Sequence, residues 1–239
     1  VWVNRLTQIF AAAARNKEFY QQLRYINENG DEMVRVDYKN GAVDLVSGTD
    51  RLQNKKSSSY FTGVQNMERG GVFISALNLN KEGGIVEVPH VPVLRFSTPV
   101  HDESGAFRGA IVSNVYAESF LGRLTTNTGS IMLATEDGSL ALHPDSDKKF
   151  GTDLGTKFTI DTEFGEQHKL LADSGSESIV EISDSLGEVV SLQTVNFDPA
   201  NPDRHWLIAR ALPTDEVLDP VTDMRNLGIT VAVIFAVLA

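Results

Sequence analysis

Cysteine is absent from the 239 residues of the sequence. The chain can therefore form no disulfide, supply no thiolate to a metal and use no cysteine as a nucleophile. A protein without cysteine fits the cytosol or the periplasm of a Gram-negative bacterium, and this feature alone does not choose between them.

Positive charge is also scarce. Lys and Arg number 21 against 32 Asp and Glu, which leaves a formal net charge of −11. No group of Lys and Arg is long enough to follow a phosphate backbone, so we predict no nucleic-acid partner. The densest basic run, formed by Arg51, Lys55 and Lys56, is either a solvated face or part of a binding segment.

The sequence patterns of common enzymes are missing as well. No two of the five histidines have the spacing of metal ligands, and neither a GxSxG motif nor a glycine-rich phosphate-binding loop occurs. Asp145, Asp147 and Asp153 lack the spacing of a calcium-binding loop and are interpreted as part of a solvated turn. We therefore predict that this chain has no catalytic site, no metal site and no cofactor.

A long apolar run lies at the C-terminal end. Leu227–Ala239 carries no charge, but it is shorter than the roughly 20 residues that cross a bilayer. Because it has no polar face, we predict the start of a transmembrane helix, with a buried C-terminal helix as the alternative. The first residues, Val1-Trp2-Val3, include neither a methionine nor a signal peptide, which predicts a chain from the interior of a longer protein.

The patterns along the chain predict an α+β fold with antiparallel sheets. From Val3 to Leu23 apolar residues recur at helical spacing, which predicts a long amphipathic helix. A hairpin, an irregular stretch and two or three antiparallel strands then follow one another twice, the first hairpin being marked by Asn29-Gly30. The predicted divisions are a long N-terminal helix in 1–24, one module in 25–124, a second module in 125–212, and an exit helix with the start of a transmembrane segment in 213–239.

The stretch Gly71–Val115 holds the most informative side chain. Three apolar segments in it are predicted as strands: Val72–Leu79, Val93–Val100 and Gly109–Val115. Arg95 lies in the middle of the second segment, on the same face as Ser97. Because an unpaired buried guanidinium is costly, Arg95 needs an anionic partner, either a ligand or a carboxylate such as Asp102 or Glu87.

Three segments resemble a known family: RLQNKKSSSYF, GVFISALNLN and VPVLRFSTPVHDESGAFRGAIVSNV. They are similar to the double Cache (tandem PAS-like, PDC) extracytoplasmic sensor domains of bacterial transmembrane receptors, above all those of sensor histidine kinases and diguanylate cyclases. The layout is similar over nearly the whole chain, and the specific motifs are confined to the first module. The resemblance implies a long helix along both modules, a ligand in the membrane-distal module 25–124, and a membrane-proximal module 125–212.

The resemblance also implies a ligand pocket on the distal sheet. Arg95 stands where such domains place an anion-binding arginine, and Asn114 stands where many have an aspartate, which argues against binding an ammonium group. Ser58 occupies the arginine position of the amino-acid-binding branch, so amino-acid recognition through that motif is not expected. The expected ligand-binding residues are Arg95, Tyr60, Ser75, Asn114, Lys55, Phe73 and Ser97.

Together these features predict the periplasmic ligand-sensing region of a bacterial inner-membrane receptor. The expected ligand is a small organic anion, a carboxylate, and the expected parent is a sensor histidine kinase, with a diguanylate cyclase or a chemoreceptor as alternatives. The N-terminal helix could pair with a second copy in a homodimer or pack on its own modules. The alternative functions are a sensor that docks a periplasmic binding protein rather than a small molecule, and a hydrolase whose catalytic residues come from distant positions.

Overall fold

The computed structural model describes residues 1–48, 51–124, 129–219 and 224. The chain divides into two compact units, Val1–Arg123 and Leu124–Ala239. Within the described residues no helix is both long enough and apolar enough to cross a membrane. The predicted transmembrane start at Leu227–Ala239 lies outside them.

The first unit is a helix followed by a mainly antiparallel β structure. Its elements are α1 (Trp2–Asn16), β1 (Tyr20–Asn27), β2 (Glu32–Lys39), β3 (Ala42–Val46), α2 (Ser59–Thr62), β4 (Phe73–Ile74), β5 (Asn78–Leu79), β6 (Lys81–Glu82), β7 (Ile85–Val86), β8 (Pro92–His101), β9 (Phe107–Tyr116) and α3 (Glu118–Leu121). The main sheet has the order β3-β2-β1-β9-β8-β4, with β5 also paired to β8, while β6 and β7 form a separate hairpin. The predicted antiparallel α+β architecture is confirmed for this unit.

The N-terminal helix is shorter than the predicted 1–24, because α1 ends at Asn16 and Tyr20 already begins a strand. Strand β1 lies between β2 and β9 and is paired with both, so its backbone polar groups are satisfied in the sheet rather than in a helix. Leu23 is buried in the sheet. An apolar residue at this position also fits a helical spacing, so the predicted helix was extended too far.

Helix α1 packs on the sheet through a face of small residues. Ala11 and Ala14, with Phe10, lie in one buried cluster with Leu23 and Val34 of the two neighbouring strands. The small side chains let the helix axis lie close to the sheet, because little side-chain volume separates them. On its outer face Ile9 is 57% exposed.

The predicted strand Val72–Leu79 is interrupted in the structure. Phe73–Ile74 and Asn78–Leu79 each pair with β8, and the chain leaves the sheet between them. The Ser75 hydroxyl causes part of this break, because it accepts the Arg95 backbone N–H at 3.0 Å and donates to the Ala76 carbonyl at 2.8 Å. A side chain thus takes hydrogen bonds that a continuous strand would give to its backbone.

A row of polar residues crosses the three central strands of this sheet. In the register of β8 and β9, Arg95 stands opposite Asn114, and in the register of β9 and β1, Asn114 stands opposite Gln22. All three residues are buried. The sheet therefore has a polar strip in its middle, and Arg95 at one end of this strip lines the cavity of the candidate site.

The second unit contains one five-stranded antiparallel sheet. Its elements are β10 (Ser130–Ala134), β11 (Leu140–Leu142), a 3-10 turn (Ser146–Lys148), α4 (Gly151–Leu154), α5 (Ile160–Ser174), β12 (Ser178–Ser183), β13 (Glu188–Asn196) and β14 (His205–Pro213). The strand order is β11-β10-β14-β13-β12. Its core joins Ile160, Phe164 and Leu171 of α5 to Val190 and Leu192 of the sheet.

The exit helix begins one residue later than predicted. Pro213 is the last residue of β14, opposite Glu188, and residues 214–219 are helical. A proline is tolerated at this strand end because β10 on the other side pairs only as far as Ala211.

Candidate ligand-binding site

A cavity of about 460 Å³ opens on the polar strip of the first unit. Its walls come from the segment that precedes α2, from the connection between β4 and β5, and from the β6–β7 hairpin, and its floor comes from β8. Four of the predicted residues line it: Lys55, Tyr60, Ser75 and Arg95. The volume lies within the usual range for a small-molecule site.

The guanidinium of Arg95 is held by amide side chains. Its Nη1 donates to Asn78 Oδ1 at 2.6 Å, and its Nη2 donates to Asn80 Oδ1 at 3.2 Å. Its backbone forms a reciprocal pair of hydrogen bonds with Ser75, in which Ser75 N donates to Arg95 O at 2.8 Å. Both ends of this residue are therefore fixed, and the guanidinium keeps one orientation.

The two carboxylates considered as structural partners of Arg95 bind other cations. Asp102 accepts from Arg108 Nε at 2.8 Å in the β8–β9 turn. Glu87 pairs with Lys39 and accepts from Asn80 Nδ2 at 3.1 Å. Each of these carboxylates therefore has a cationic partner other than Arg95.

Tyr60 lies between two arginines. The guanidinium carbon of Arg24 is 4.9 Å from the centre of its ring and that of Arg95 is 5.7 Å away, both within the range of cation–π contacts. Burial raises the pKa of the Tyr60 phenol, but the positive charges of Arg24, Lys55 and Arg95 outweigh it, so the pKa lies below its ordinary value. Positive potential therefore converges on this end of the cavity.

Arg24 is a buried cation beside the candidate site that the sequence analysis did not identify. It is almost completely buried in β1, where Nη2 donates to Asn114 Oδ1 at 2.6 Å and Nη1 donates to Tyr60 Oη at 3.1 Å. Nη1 also lies 3.3 Å from Glu32 Oε1. A mid-strand arginine needs an anion, but the predicted helix in 1–24 included Arg24, so the sequence did not mark it as a strand residue.

Asn114 and Ser97 lie beneath the cavity rather than in its wall. Asn114 Nδ2 donates to Gln21 Oε1 at 3.0 Å and to Asn80 Oδ1 at 3.3 Å, so it connects β1 to the acceptor of Arg95. Ser97 Oγ donates to the Tyr60 carbonyl at 2.6 Å and fixes the chain at α2. Ser97 thus positions Tyr60, which lines the cavity, and Asn114 acts one step further away, through the Asn80 acceptor of Arg95.

Phe73 is not a wall of the cavity, contrary to the prediction. It lies two residues before Ser75 along the interrupted strand, opposite Ser97, and packs against the cluster that contains Phe61. Because the chain leaves the sheet after Ile74, a shared face in the sequence does not bring Phe73 to the same site as Ser75.

A second charged group lies beside the cavity. Arg35 donates to both oxygens of Glu82 at 3.0 Å and to both oxygens of Asp37 at 2.8 and 2.9 Å. Burial raises the pKa of Glu82, but the charge and hydrogen bonds of Arg35, with those of Gln22 and Gln53, outweigh it and lower the pKa to about 2.

We expect this pair to contribute to stability above pH 4.5. Because the folded-state pKa of Glu82 is about 2 and its ordinary value is 4.5, the contribution is fully present above pH 4.5 and is lost as the pH falls towards 2. The Glu82 side chain is 35% exposed, so screening reduces the contribution to about 1 kcal/mol. In urea unfolding, Glu82→Gln should make stability between neutral pH and pH 3 less dependent on pH.

The exposed Glu103 in the β8–β9 turn provides the control. Glu103→Gln should leave the pH dependence as in the parent chain. Identical pH profiles for Glu82→Gln and the parent chain would contradict the expectation.

The titratable side chains do not cluster as metal ligands do. In the described part of the chain, no group of three or more His, Asp or Glu residues is arranged to hold a metal ion.

Comparison with known proteins identifies a family for this chain. Residues 3–170 match the family described as bacterial histidine kinase, sensor domain. No curated protein matches the sequence.

Solved structures share the fold at low sequence identity. The extracellular domain of vpHK1S-Z8, assigned as a histidine kinase, aligns with a TM-score of 0.74 at 18% identity, over 92% of this chain and 77% of that one. A domain from Vibrio parahaemolyticus, assigned to the sensory box/GGDEF family, aligns with a TM-score of 0.74 at 18% identity, over 89% and 79%. The ligand-binding domain of the Pseudomonas fluorescens chemoreceptor CtaA in complex with L-serine aligns with a TM-score of 0.53 at 11% identity, over 86% and 79%.

The family match covers more than half of the chain, and the structural neighbours are sensor domains of kinases, GGDEF proteins and chemoreceptors. The antiparallel sheets and the N-terminal helix agree with a Cache-type sensor. The chain belongs to the family of bacterial histidine kinase sensor domains.

Proposed function

We propose that the first unit binds a small organic anion in its cavity, with Arg95 as the anchor. The observation that carries the proposal is the convergence of Arg24, Lys55 and Arg95 around Tyr60, which lowers the pKa of a buried phenol. An anionic ligand would gain from this potential, whereas a cationic one would be repelled. Low polarity around buried charges strengthens both effects.

The surroundings of Arg95 would allow a ligand carboxylate to replace an amide oxygen as its hydrogen-bond acceptor. Two of its acceptors, the amide oxygens of Asn78 and Asn80, are neutral. A carboxylate would form charge-assisted hydrogen bonds, which are roughly twice as strong as neutral ones, and could take two of them from one guanidinium. Ser75, whose hydroxyl is bonded to the backbone of Arg95, also lines the cavity.

We also propose the receptor context. The two units would be tandem PAS-like modules, the first membrane-distal and the second membrane-proximal, in the periplasmic part of an inner-membrane receptor. Dimerisation through α1 and signal output by a histidine kinase belong to the same proposal. A ligand would act by population shift, so it must bind one arrangement of the sensor better than another. The complexes of CtaA with L-serine and L-alanine support small-molecule sensing by a related fold.

A thermal-shift screen of the purified chain tests the proposal. The panel contains small carboxylates, amino acids, amines and nucleobases, each with the parent chain and with Arg95→Ala. At a hundredfold excess over its Kd a ligand stabilises the protein by about 2.7 kcal/mol, which raises Tm by several degrees for a chain of this size. We expect a carboxylate to give this shift with the parent chain and to lose it with Arg95→Ala.

Arg108→Ala is the matched control, because Arg108 lies in strand β9 and forms an exposed ion pair away from the cavity. It should keep the response. A response that survives Arg95→Ala would place the ligand elsewhere, for example in the cavity of about 330 Å³ beside His143 in the second unit. No response to any compound would favour the docking of a periplasmic binding protein.

A further inference from the structure

The charges that line the cavity restrict its ligand further than anion binding alone. Three cationic side chains reach its wall from three separate elements: Lys55 before α2, Lys81 in β6 and Arg95 in β8. None of the described lining residues is Asp or Glu, in a sequence that has 32 acidic residues against 21 basic ones. The wall is therefore strongly positive within an acidic protein.

Two carboxylates close to the cavity in sequence or structure are engaged by groups of the protein itself. Glu82 stands between two lining residues in the β6–β7 hairpin, but its oxygens accept from Arg35, Gln22 and Gln53. Glu32 accepts the Gln53 backbone N–H at 3.0 Å and lies 3.3 Å from Arg24. An ammonium group on a ligand would thus find no carboxylate in the described wall.

Lys55 lines the cavity from the segment before α2, and Arg95 lines it from β8. Its Nζ donates to Gln53 Oε1 at 2.6 Å, and that oxygen belongs to a neutral amide. One carboxylate at Arg95 would leave the charge of Lys55 without an anionic contact from the same ligand. A second anionic group would supply that contact.

The remaining wall is polar rather than aliphatic. Ser57, Ser58 and Ser59 line it with short hydroxyl-bearing side chains, while the aliphatic contribution comes from Ala76 and Leu79. A ligand with a long hydrocarbon chain would bury little apolar surface here. A short skeleton rich in oxygen would find hydrogen-bond partners along its length.

We propose that the ligand is a short compound with two anionic groups, called a dianion here whatever its total charge, and without an ammonium group, bound between Arg95 and Lys55. The two anionic groups are two carboxylates, or one carboxylate and one phosphate. This inference rests on the proposed function, because it specifies the ligand of the same cavity.

Isothermal titration of the purified chain with butanoate, butanedioate, L-aspartate and 3-phosphoglycerate tests the inference. We expect at least one dianion without an ammonium group to bind about tenfold or more tightly than butanoate, the gain from one additional charge-assisted hydrogen bond. L-Aspartate should bind more weakly than butanedioate, because its ammonium group enters the positive wall. The relative affinities of butanedioate and 3-phosphoglycerate distinguish the two sources of the second anionic group.

Lys55→Gln separates the role of the second cation from that of the first. It should weaken the dianion about tenfold and change butanoate binding less than about threefold. Lys56→Gln is the matched control, because Lys56 is the next residue, is exposed and does not line the cavity. It should change neither affinity.

Two results would overturn the inference, and they differ in what they mean for the proposed function. If butanoate or L-aspartate binds as tightly as the best dianion and binding still requires Arg95, the anion site stands and the dianion inference falls. If none of the four compounds and no other carboxylate binds, both fall.

Discussion

Glu32→Gln is expected to lower the free energy of unfolding by about 3–5 kcal/mol, the loss typical of breaking a buried ion pair by removing one partner. The Glu32 side chain has no exposed surface, and it serves Arg24 at 3.3 Å, Arg35 at 3.9 Å and the Gln53 backbone N–H at 3.0 Å. Glutamine keeps the shape of the side chain but removes its charge. Arg24 would then remain buried in the middle of the sheet without its carboxylate.

Urea unfolding followed by circular dichroism measures the loss. Asp173→Asn is the control, because its partner Lys169 and Asp173 itself are mostly exposed on α5, and such pairs contribute about 0.5 kcal/mol or less. The double variant Arg24→Leu/Glu32→Leu should recover much of the loss, since it removes both charges together. A loss below about 1 kcal/mol for Glu32→Gln would mean that Arg24 does not depend on this carboxylate.

Gly109→Ala is expected to cost about 3 kcal/mol or more, which places it among the most damaging single substitutions. The residue has φ +130°, and an added Cβ would lie 2.0 Å from the Ile26 carbonyl oxygen and 2.9 Å from the Asn27 Cα. Both atoms belong to the backbone of β1, so neither can rotate away. Relief requires β1 and β9 to separate at the end of their pairing, where Asn27 stands opposite Gly109.

Gly105→Ala isolates the contribution of the backbone angle. Gly105 lies in the turn that precedes β9, has φ +84°, and an added Cβ would meet no atom within 4 Å. It should cost only the strain of a left-handed residue, about 1 kcal/mol. If the two variants lose equal stability in urea unfolding, the close approach of β1 and β9 is not what requires glycine at position 109.

Much of the fold follows from local sequence chemistry. Asn29-Gly30 and the DESG turn mark hairpins because glycine accepts the backbone angles of tight turns, and both hairpins form. The boundary of α1 was wrong because Tyr20 and Leu23 satisfy a helical and a strand pattern alike. Only the pairing of β1 with β2 and β9 decides between them, and that pairing involves residues distant in sequence.

The part of the candidate site that could be predicted is the residue whose chemistry requires a particular kind of partner. Arg95 could be identified from the sequence because a guanidinium in a sheet requires an acceptor. Its acceptors Asn78 and Asn80 could not be identified, because they are presented by a break in the strand that depends on the Ser75 hydroxyl. Phe73 was misplaced for the same reason. Lys81 reaches the cavity from a hairpin that formed inside a segment predicted as a connection.

The floor of the cavity and its walls belong to different kinds of structure, and this difference affects how the sequences of such receptors can change. The floor belongs to paired strands, where a substitution such as one at Asn114 disturbs several hydrogen bonds at once. The walls come largely from residues 53–60 and 75–84, which lie mostly outside the main sheet. Under the proposed function, mutations in these two segments change ligand preference while the strands keep their register, so new specificities can evolve on an unchanged scaffold. A solved structure that aligns with a TM-score of 0.74 at 18% identity shows how much sequence change this scaffold tolerates.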